Sequence, residues 1–449
     1  MDKKLLYKLL AISLMSLLLL IPLAMIEGQI SQRSGLQTEV QQSIAASSAG
    51  EQTLVGPVLA IQYRERLEPE VIKDVTTGQQ TVTPRFADHT LYLPPEVLQL
   101  EGSARAEKRY RGIYQARLFH LDAAIKGRFG VPARLGLSAQ ADIISAEAAL
   151  ILSVSDARGV DNDPEVTING KKHRFSVPKS HQDEHERLLG THLKIDLGKL
   201  ALDQSHAFDF TLPLQMTGTE RLTIAPTGEA NQISLTSNWQ HPSFGGRFLP
   251  RERAIGAEGF TARWEISHLA RNFANTLVAD RAGMPEALSI TFLDPVNVYL
   301  QAERAVKYGV LFIVLTFGGF FLTEVLRRSP IHAMQYLLVG LALAIFFLLL
   351  IALSEHMPFA AAYAIAATAC ILLIAFYLAG ALGGWRAGLG FGAGLTGLYG
   401  VLFGVLLSED NSLLMGSALL FLALAATMLA TRRVDWYRVS ANIVPRTDE

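Results

Sequence analysis

The chain has 449 residues, half of them hydrophobic and 18% charged, with a formal net charge of -1 at pH 7. A near-neutral balance gives no electrostatic basis for nucleic-acid binding, and a single cysteine, Cys370, excludes an intrachain disulfide. The averages combine two materials: residues 27–304 carry most of the charge, and the remainder is nearly uncharged.

Six stretches are apolar over roughly the 20 residues that a helix needs to cross a bilayer: 5–26, 305–326, 334–353, 359–380, 388–407 and 413–430. Only residues 381–387 separate the fourth from the fifth, so these helices form a compact hairpin series. Lys and Arg mark the cytoplasmic side of short connections. Lys3, Lys4 and Lys8 open the first stretch and Arg327 and Arg328 follow the second; Arg386 lies between the fourth and fifth, and Arg432, Arg433 and Arg438 follow the sixth. The alternate connections, 354–358 and 408–412, have neither residue type. This pattern predicts both termini in the cytoplasm and residues 27–304 in the periplasm. Arg304 and Lys307 dissent from the outer end of the second stretch, where long side chains can reach the interface. A basic start before an apolar core also describes a secretory signal peptide. Residues 21–26 offer no small-x-small cleavage site, so an uncleaved anchor over 1–26 is expected.

Residues 27–53 are Ser- and Gln-rich with sparse apolar positions, which predicts a helical extension of the first span fading into a linker. From Leu54 the dominant period is two. Phe208, Phe210, Leu212, Leu214 and Met216 alternate with Asp209, Thr211, Pro213 and Gln215, and Phe260, Ala262, Trp264 and Ile266 with Thr261, Arg263 and Glu265. That period buries one face of a strand and wets the other. Further strands are expected at 54–63, 116–129, 148–155, 192–197, 232–239 and 288–292, and one helix at 269–279. Asn169-Gly170 suits the left-handed turn of a hairpin, with Lys171 and Lys172 leaving the loop length open; Pro213 places its strand at an edge or bulge. The expected fold is a six-span helical membrane bundle with a large β-rich periplasmic domain over 54–304, most simply one or two sandwiches. Residues 305–430 supply the five later helices and 431–449 a cytoplasmic tail.

His181-Gln182-Asp183-Glu184-His185 matches the H-x-x-E-H zinc-peptidase pattern. Such a site needs both histidines one turn apart on a helix, plus a third ligand. Pro178-Lys179-Ser180 before it and Glu186-Arg187 after it give such a helix nothing to bury, so a solvated loop is the simpler reading. Asp156 and Arg158, two apart beyond an apolar strand, can pair, most simply as part of a structural turn. The loop carrying Trp239, His241 and Phe244 could meet a partner or the bilayer surface; the plainer reading is that its aromatics cap the core. No G-x-S-x-G, Walker or Rossmann pattern occurs, and no cofactor is expected.

Ionisable residues inside a membrane are functional candidates by default, and the middles of the last four spans have none. Glu324, near the inner end of the second span, is expected to pair at the interface with Arg327 and Arg328. His332, Gln335 and Tyr336 sit at the inner mouth of the third span, and Ser354, Glu355 and His356 at its outer mouth. These polar ends either fix helix registry, the simpler reading, or line a vestibule. In the fifth span Gly388 and Gly392, Gly390 and Gly394, and Gly400 and Gly404 are each four apart. This spacing lets helices approach closely, within the chain or between two copies.

Several passages resemble the CreD family of inner-membrane proteins, also called cell envelope integrity proteins. They are Leu54-Val55-Gly56-Pro57, the run from Ser153 to Gly159, Leu235-Thr236-Ser237-Asn238-Trp239 with His241-Pro242-Ser243-Phe244, Lys307-Tyr308, the run from Met334 to Leu341 on through Phe346 and Leu350 to Ser354-Glu355-His356, and Asp435-Trp436-Tyr437. The sequence departs from the pattern at Ala333 and Gln240, where proline is expected, and the His181–His185 region is not part of it. The resemblance implies a bacterial inner-membrane protein linked to envelope stress and supplies no catalytic residues. A non-enzymatic envelope protein with a binding or scaffolding domain is the expected function. A transporter or exporter component for a neutral or lipid-like cargo is the alternative, and a periplasmic hydrolase the third. The lipid bilayer and an envelope component are the expected partners.

Overall fold

The computed structural model describes residues 3–73, 80–138, 140–176, 191–270, 286–292, 297–327, 331–381, 384–407 and 412–432. The chain divides into two units, Met1–Thr38 with Val296–Glu449, and Glu39–Pro295.

The first unit is helical: α1 (Lys3–Leu18), α2 (Leu20–Ser47, whose residues from Glu39 on belong to the second unit), α3 (Val298–Lys307), α4 (Gly309–Arg327), α5 (Ala333–Ser354), α6 (Phe359–Ala381), α7 (Trp385–Leu407) and α8 (Ser412–Thr431). Leu10–Ser47, α5, α6 and α7 are long and apolar enough to cross a membrane. A fifth crossing is available if α3 and α4, bent by 42°, count as one span; α8 holds a shorter apolar run, Leu414–Leu429. The sequence places the second span's start at residue 305, but the chain breaks at Tyr308. Asn297 starts α3 by accepting from the Tyr299 and Leu300 amides at 3.0 and 3.2 Å, and Arg304 and Lys307 fall in its last turn.

Lipid tails are as apolar as leucine, so these helices associate by packing rather than by escape from water. Small residues make the room. A Cβ on Gly340 of α5 would lie 2.1 Å from Leu19 Cδ1, and one on Gly309 3.0 Å from Leu23 Cδ2. Between α4, α5, α6 and α7 the space is filled by rings: Phe346 lies 4.6 Å from Tyr399 and 5.5 Å from Tyr363, and Phe312 lies 5.1 Å from Tyr399. Tyr363 donates to the Tyr399 main-chain oxygen at 2.6 Å, and the Tyr399 hydroxyl meets Cys370 Sγ at 3.2 Å. The polar side-chain atoms of Tyr363, Tyr399 and Cys370 are thereby paired within the bundle.

The second unit holds fifteen described strands. They are β1 (Gln52–Lys73), β2 (Gln80–Leu93), β3 (Val97–Arg111), β4 (Tyr114–Val131), β5 (Asp142–Val154), β6 (Glu165–Ile168), β7 (Lys171–Arg174), β8 (Thr191–Lys199), β9 (His206–Thr219), β10 (Arg221–Ala225), β11 (Ala230–Ser237), β12 (Pro242–Gly246), β13 (Glu252–Gly256), β14 (Gly259–Ser267) and β15 (Leu288–Phe292). One sheet runs β12-β15-β10-β1-β5-β8 with β2 also on β1; the other runs β13-β14-β11-β3-β4-β9-β6-β7. A single apolar cluster draws on both, from Leu54, Leu59 and Leu150 of the first to Leu121, Leu212 and Trp264 of the second. The alternation in β9 and β14 appears as expected, with Phe210, Leu212, Leu214 and Met216 buried and their neighbours Thr211, Pro213 and Gln215 exposed.

β1 has neighbours on both sides. β5 covers residues 54–66 on one side; on the other, β10 pairs with 52–55 and β2 with 59 onward. Gly56 and Pro57, joined by a cis peptide, fall in the gap between those two partners, where a missing N–H costs no ladder bond. Asn169 (φ 49°) and Gly170 (φ 80°) form a two-residue turn between β6 and β7, which settles the open loop length. Pro213 lies inside β9, but its N side faces the β6 edge, like Thr211 and Gln215. The β6 ladder has only two pairs, at Thr211 and Phe210, and stops short of Pro213. At Glu220 (φ 65°) the chain passes from β9 to β10 and changes sheet. There the buried Arg117 donates to the Phe292 oxygen at 2.8 Å and lies 3.4 Å from the Glu220 carboxylate. Of the expected helix at 269–279, a 3-10 turn at His268–Ala270 is seen, and residues from 271 lie outside the described ones. So does the whole His181–His185 segment.

Candidate functional site

Polar groups gather at both ends of α5. At its start the His332 ring accepts from the Met334 amide at 3.2 Å, and the Gln335 side chain accepts from the His332 amide at 3.1 Å. This is a reciprocal cap that satisfies amides the helix cannot. One turn in, Tyr336 is buried, with its ring 5.3 Å from Phe317 and 5.2 Å from Phe320. Its hydroxyl donates to Glu324 Oε2 at 3.4 Å. The other Glu324 oxygen accepts from Lys8, whose ammonium also reaches the Ile331 oxygen at 3.3 Å. Glu324, Tyr336 and the cap of His332 and Gln335 thus adjoin, with Lys8 of α1 as the cation. The Arg327 side chain and Arg328 lie outside the described residues.

At the other end Ser354 is buried and donates within its own helix, to the Leu350 and Ile351 oxygens at 2.8 and 3.1 Å. The Glu355 carboxylate, only 9% exposed, accepts from the Tyr299 hydroxyl at 3.2 Å and lies 3.7 Å from Arg33 Nε of α2. His356 is exposed, and its amide closes the last turn on Leu353. Lys8 and Arg33 are the members that sequence reasoning missed. Lys8 carried a signal, being an ionisable residue at the margin of an apolar run; Arg33 sits in an unremarkable polar stretch.

In the β unit, Asp156 and Arg158 do pair, and they hold more than each other. Arg158 Nε and Nη2 donate to the two Asp156 oxygens at 2.9 and 2.6 Å, and Nη1 donates to the Ala46 main-chain oxygen at 2.8 Å. Asp156 also accepts from the Gly50 amide at 3.3 Å. A cation on the last carbonyls of a helix offsets its dipole, so this pair closes the C-terminal turn of α2. The Arg158 guanidinium, with the Gly50 and Arg158 amides, brings the Asp156 pKa down to about 2 against the opposing effect of burial. Beside it the fully buried Gln52 side chain donates to the Asp156 and Thr217 oxygens at 3.0 and 3.1 Å.

Trp239 is half-buried against the core, with the Lys108 ammonium 5.9 Å from its ring centre. Phe244 packs edge-on against Phe260 and Trp264 at 5.4 and 5.8 Å; His241 is exposed. These aromatics cap the core.

The face of the eight-stranded sheet turned away from that core is polar. Thr261, Thr236, Ser103, Asp122 and Gln215 are paired in register across β14, β11, β3, β4 and β9 and are all exposed. They form a row about 19 Å long at normal strand spacing. Two shallow depressions open to solvent along it and share Ser103. At its β9 end the Thr217 hydroxyl donates to Asp161 Oδ2 at 2.5 Å and lies 2.8 Å from His120 Nδ1. The one Thr217 proton goes to the carboxylate, so the imidazole is the donor in that contact.

Among the described residues no group of three or more His, Cys, Asp or Glu is placed to hold a metal ion. The α7 glycines divide by surroundings. A Cβ on Gly388 would lie 2.5 Å from the Ala375 oxygen of α6, on Gly392 3.1 Å from Ala375 Cβ, and on Gly404 3.3 Å from Met415 Cε, whereas Gly390, Gly394 and Gly400 have open space.

Apolar helices tied by buried carboxylates, together with a two-sheet unit set between α2 and α3 in the chain, define a helix-anchored membrane protein with a large β-rich insertion. The chain belongs to the CreD family: the family model described as inner membrane protein CreD matches residues 4–437. It is 35% identical over 427 residues to the inner membrane protein CreD of Escherichia coli (strain K12), covering 94% of this chain and 92% of that protein. The protein is thus a bacterial inner-membrane protein, as the motif resemblance implied. A crystal structure of a Legionella pneumophila protein aligns over 49% of this chain and 74% of its own, with 6% identity and a TM-score of 0.25; a likeness of that size carries no argument.

Proposed function

We propose that this protein is a non-enzymatic component of the cell envelope whose β unit acts in the periplasm as a binding or scaffolding module. The observation that carries the reading is the outward face of the eight-stranded sheet. It is broad, polar and open, with shallow depressions rather than an enclosed pocket beneath the Thr261–Gln215 row. Such a face suits a macromolecular envelope partner better than a small substrate. The ring-filled centre of α4, α5, α6 and α7 supports a role for the bundle as an anchor over a route for cargo. A photo-crosslinker placed at Ser103 and at Thr236 in the intact protein in cells tests the reading. Recovery of one specific envelope component at both positions is expected, and labelling no different from that at an unrelated exposed strand position would sink it.

In the same reading the helices make six spans, with α8 the sixth and both termini cytoplasmic, and the two sheets form a sandwich around their shared core. The burial of Leu19, Leu23, Ile26 and Ile30 and the pairing of Lys8 and Arg33 support retention of the first helix as a permanent part of the bundle. Reporter fusions near residues 100 and 200 would show periplasmic activity. A second copy would approach α7 at Gly400, which has open space, rather than at Gly388, Gly392 or Gly404.

A further inference from the structure

The short loop 155–162 is fastened on two sides. On the first, Asp156 and Arg158 hold Gly50 and Ala46 at the end of α2, and the Ser155 hydroxyl donates to the Glu51 oxygen at 2.8 Å. On the second, Val160 bridges to Met216, and the Asp161 amide donates to the Gln215 oxygen at 2.9 Å. Asp161 accepts the hydrogen bond of the Thr217 hydroxyl, and Asn162 Oδ1 accepts from the Gln215 amide at 3.2 Å. Gln215 in turn donates to Asp122 at 2.7 Å, and both side chains belong to the exposed row. Of the loop residues 155–162, Gly159, between the two sets of contacts, is the buried one. Ala157–Gly159 is one 3-10 turn, and Gly159 is wedged so tightly that a Cβ would lie 2.2 Å from Gln52 Nε2 and 2.3 Å from the Thr217 oxygen.

We propose that loop 155–162 is a two-sided clasp that couples the C-terminal turn of α2 to the outward face of the eight-stranded sheet. What seats on that face and the state of the helix end then bias each other. The proposal rests on the reading of that face as the binding face only for its biological use; the coupling is a property of the empty protein. Close-packed segments do not deform continuously, so a shift on one side has to be taken up on the other.

Hydrogen exchange of the full-length protein in detergent, followed by mass spectrometry, tests the coupling without any partner, so its failure is distinct from failure of the crosslinking experiment. Thr217→Val removes the hydroxyl that holds Asp161 and keeps the main-chain oxygen that Gln52 uses. Exchange at residues 46–50 is expected to quicken about tenfold or more, with β5 and β11 unchanged. Arg158→Lys, which cannot reach Asp156 and Ala46 together, is expected to quicken exchange at Asp161 and Gln215. Lys126→Ala, on the same face but remote from the loop, is expected to leave 46–50 as it was. Effects confined to the mutated side would overturn the clasp. So would a rise shared by β5 and β11, which would report the stability of the whole fold.

Discussion

Glu324 and Glu355 are held in the same way at opposite ends of α5: each carboxylate accepts from one tyrosine hydroxyl and meets one basic side chain of the first helix pair. Tyr336 and Lys8 serve Glu324; Tyr299 and Arg33 serve Glu355. Neither carboxylate is more than 13% exposed, so each would be costly without its partners. Together they fix the position of α1 and α2 along the bundle as well as their orientation around it.

Lys8→Ala is expected to lower stability by about 3 kcal/mol, because among the described residues it leaves the buried Glu324 charge with a tyrosine donor and no cation. Glu324→Gln in the same chain is expected to recover most of that loss, since a neutral amide needs no cation. Thermal unfolding in detergent of the two single variants and the double variant measures this, and additive losses would refute the pairing.

Gly388→Ala is expected to cost 1–3 kcal/mol, because the new methyl meets the Ala375 oxygen, a main-chain atom that cannot move aside without parting α6 from α7. Gly390→Ala, with nothing within 4 Å, is expected to be neutral or slightly stabilising through helix propensity. Melting temperatures of the two variants in one detergent make the comparison.

The end of α2 is expected to loosen in acid. The Asp156 pKa is lowered to about 2 in the fold. A carboxylate with a depressed pKa stabilises the fold fully above its unfolded value, near 3.9, and loses that contribution as the pH falls through the folded one. Exchange at residues 46–50 is therefore expected to be flat above about pH 4 and to rise toward pH 2, after correction for the intrinsic pH dependence of exchange. Asp156→Asn should already be loose at pH 6 and lose that added acid response.

Arg117→Met is expected to destabilise the β unit by about 3 kcal/mol, because at the corner where the chain changes sheet the Phe292 oxygen loses its guanidinium donor and the Glu220 carboxylate its paired cation, keeping the residue 117 amide. Glu220→Gly suits the left-handed backbone there and is expected to recover part of what the lost carboxylate costs. Urea unfolding followed by tryptophan fluorescence would report Trp264 in the shared core.

Much of this architecture is legible in the sequence because it rests on local periodicity. The β9 and β14 alternations, the Asn169-Gly170 turn and the long apolar runs of α5, α6 and α7 are each written within a few turns or residues. β2, β3, β10, β12 and β13 are not among the strands the sequence pattern predicts, and β3 shows a converse reason. β3 carries Glu101, Arg105, Glu107, Lys108 and Arg109 among small residues, so its buried face, Leu98, Leu100, Ala104 and Ala106, is thin. The pairing of Asp156 with Arg158 is visible at a spacing of two, but its acceptor at Ala46 is a main-chain oxygen, and no sequence pattern marks a carbonyl. Lys8 and Arg33 meet Glu324 and Glu355 across some 300 residues of chain, a distance over which only the fold speaks.

The handover at Gly56 and Pro57 has a consequence for how this chain can vary. β1 is read at once by β5, β10 and β2. One residue added or removed between Gln52 and Leu59 would turn one half of the strand inside out relative to the other. Length in that stretch is therefore frozen even where individual side chains are free to drift. A comparison across distant relatives should find substitutions there but no gaps.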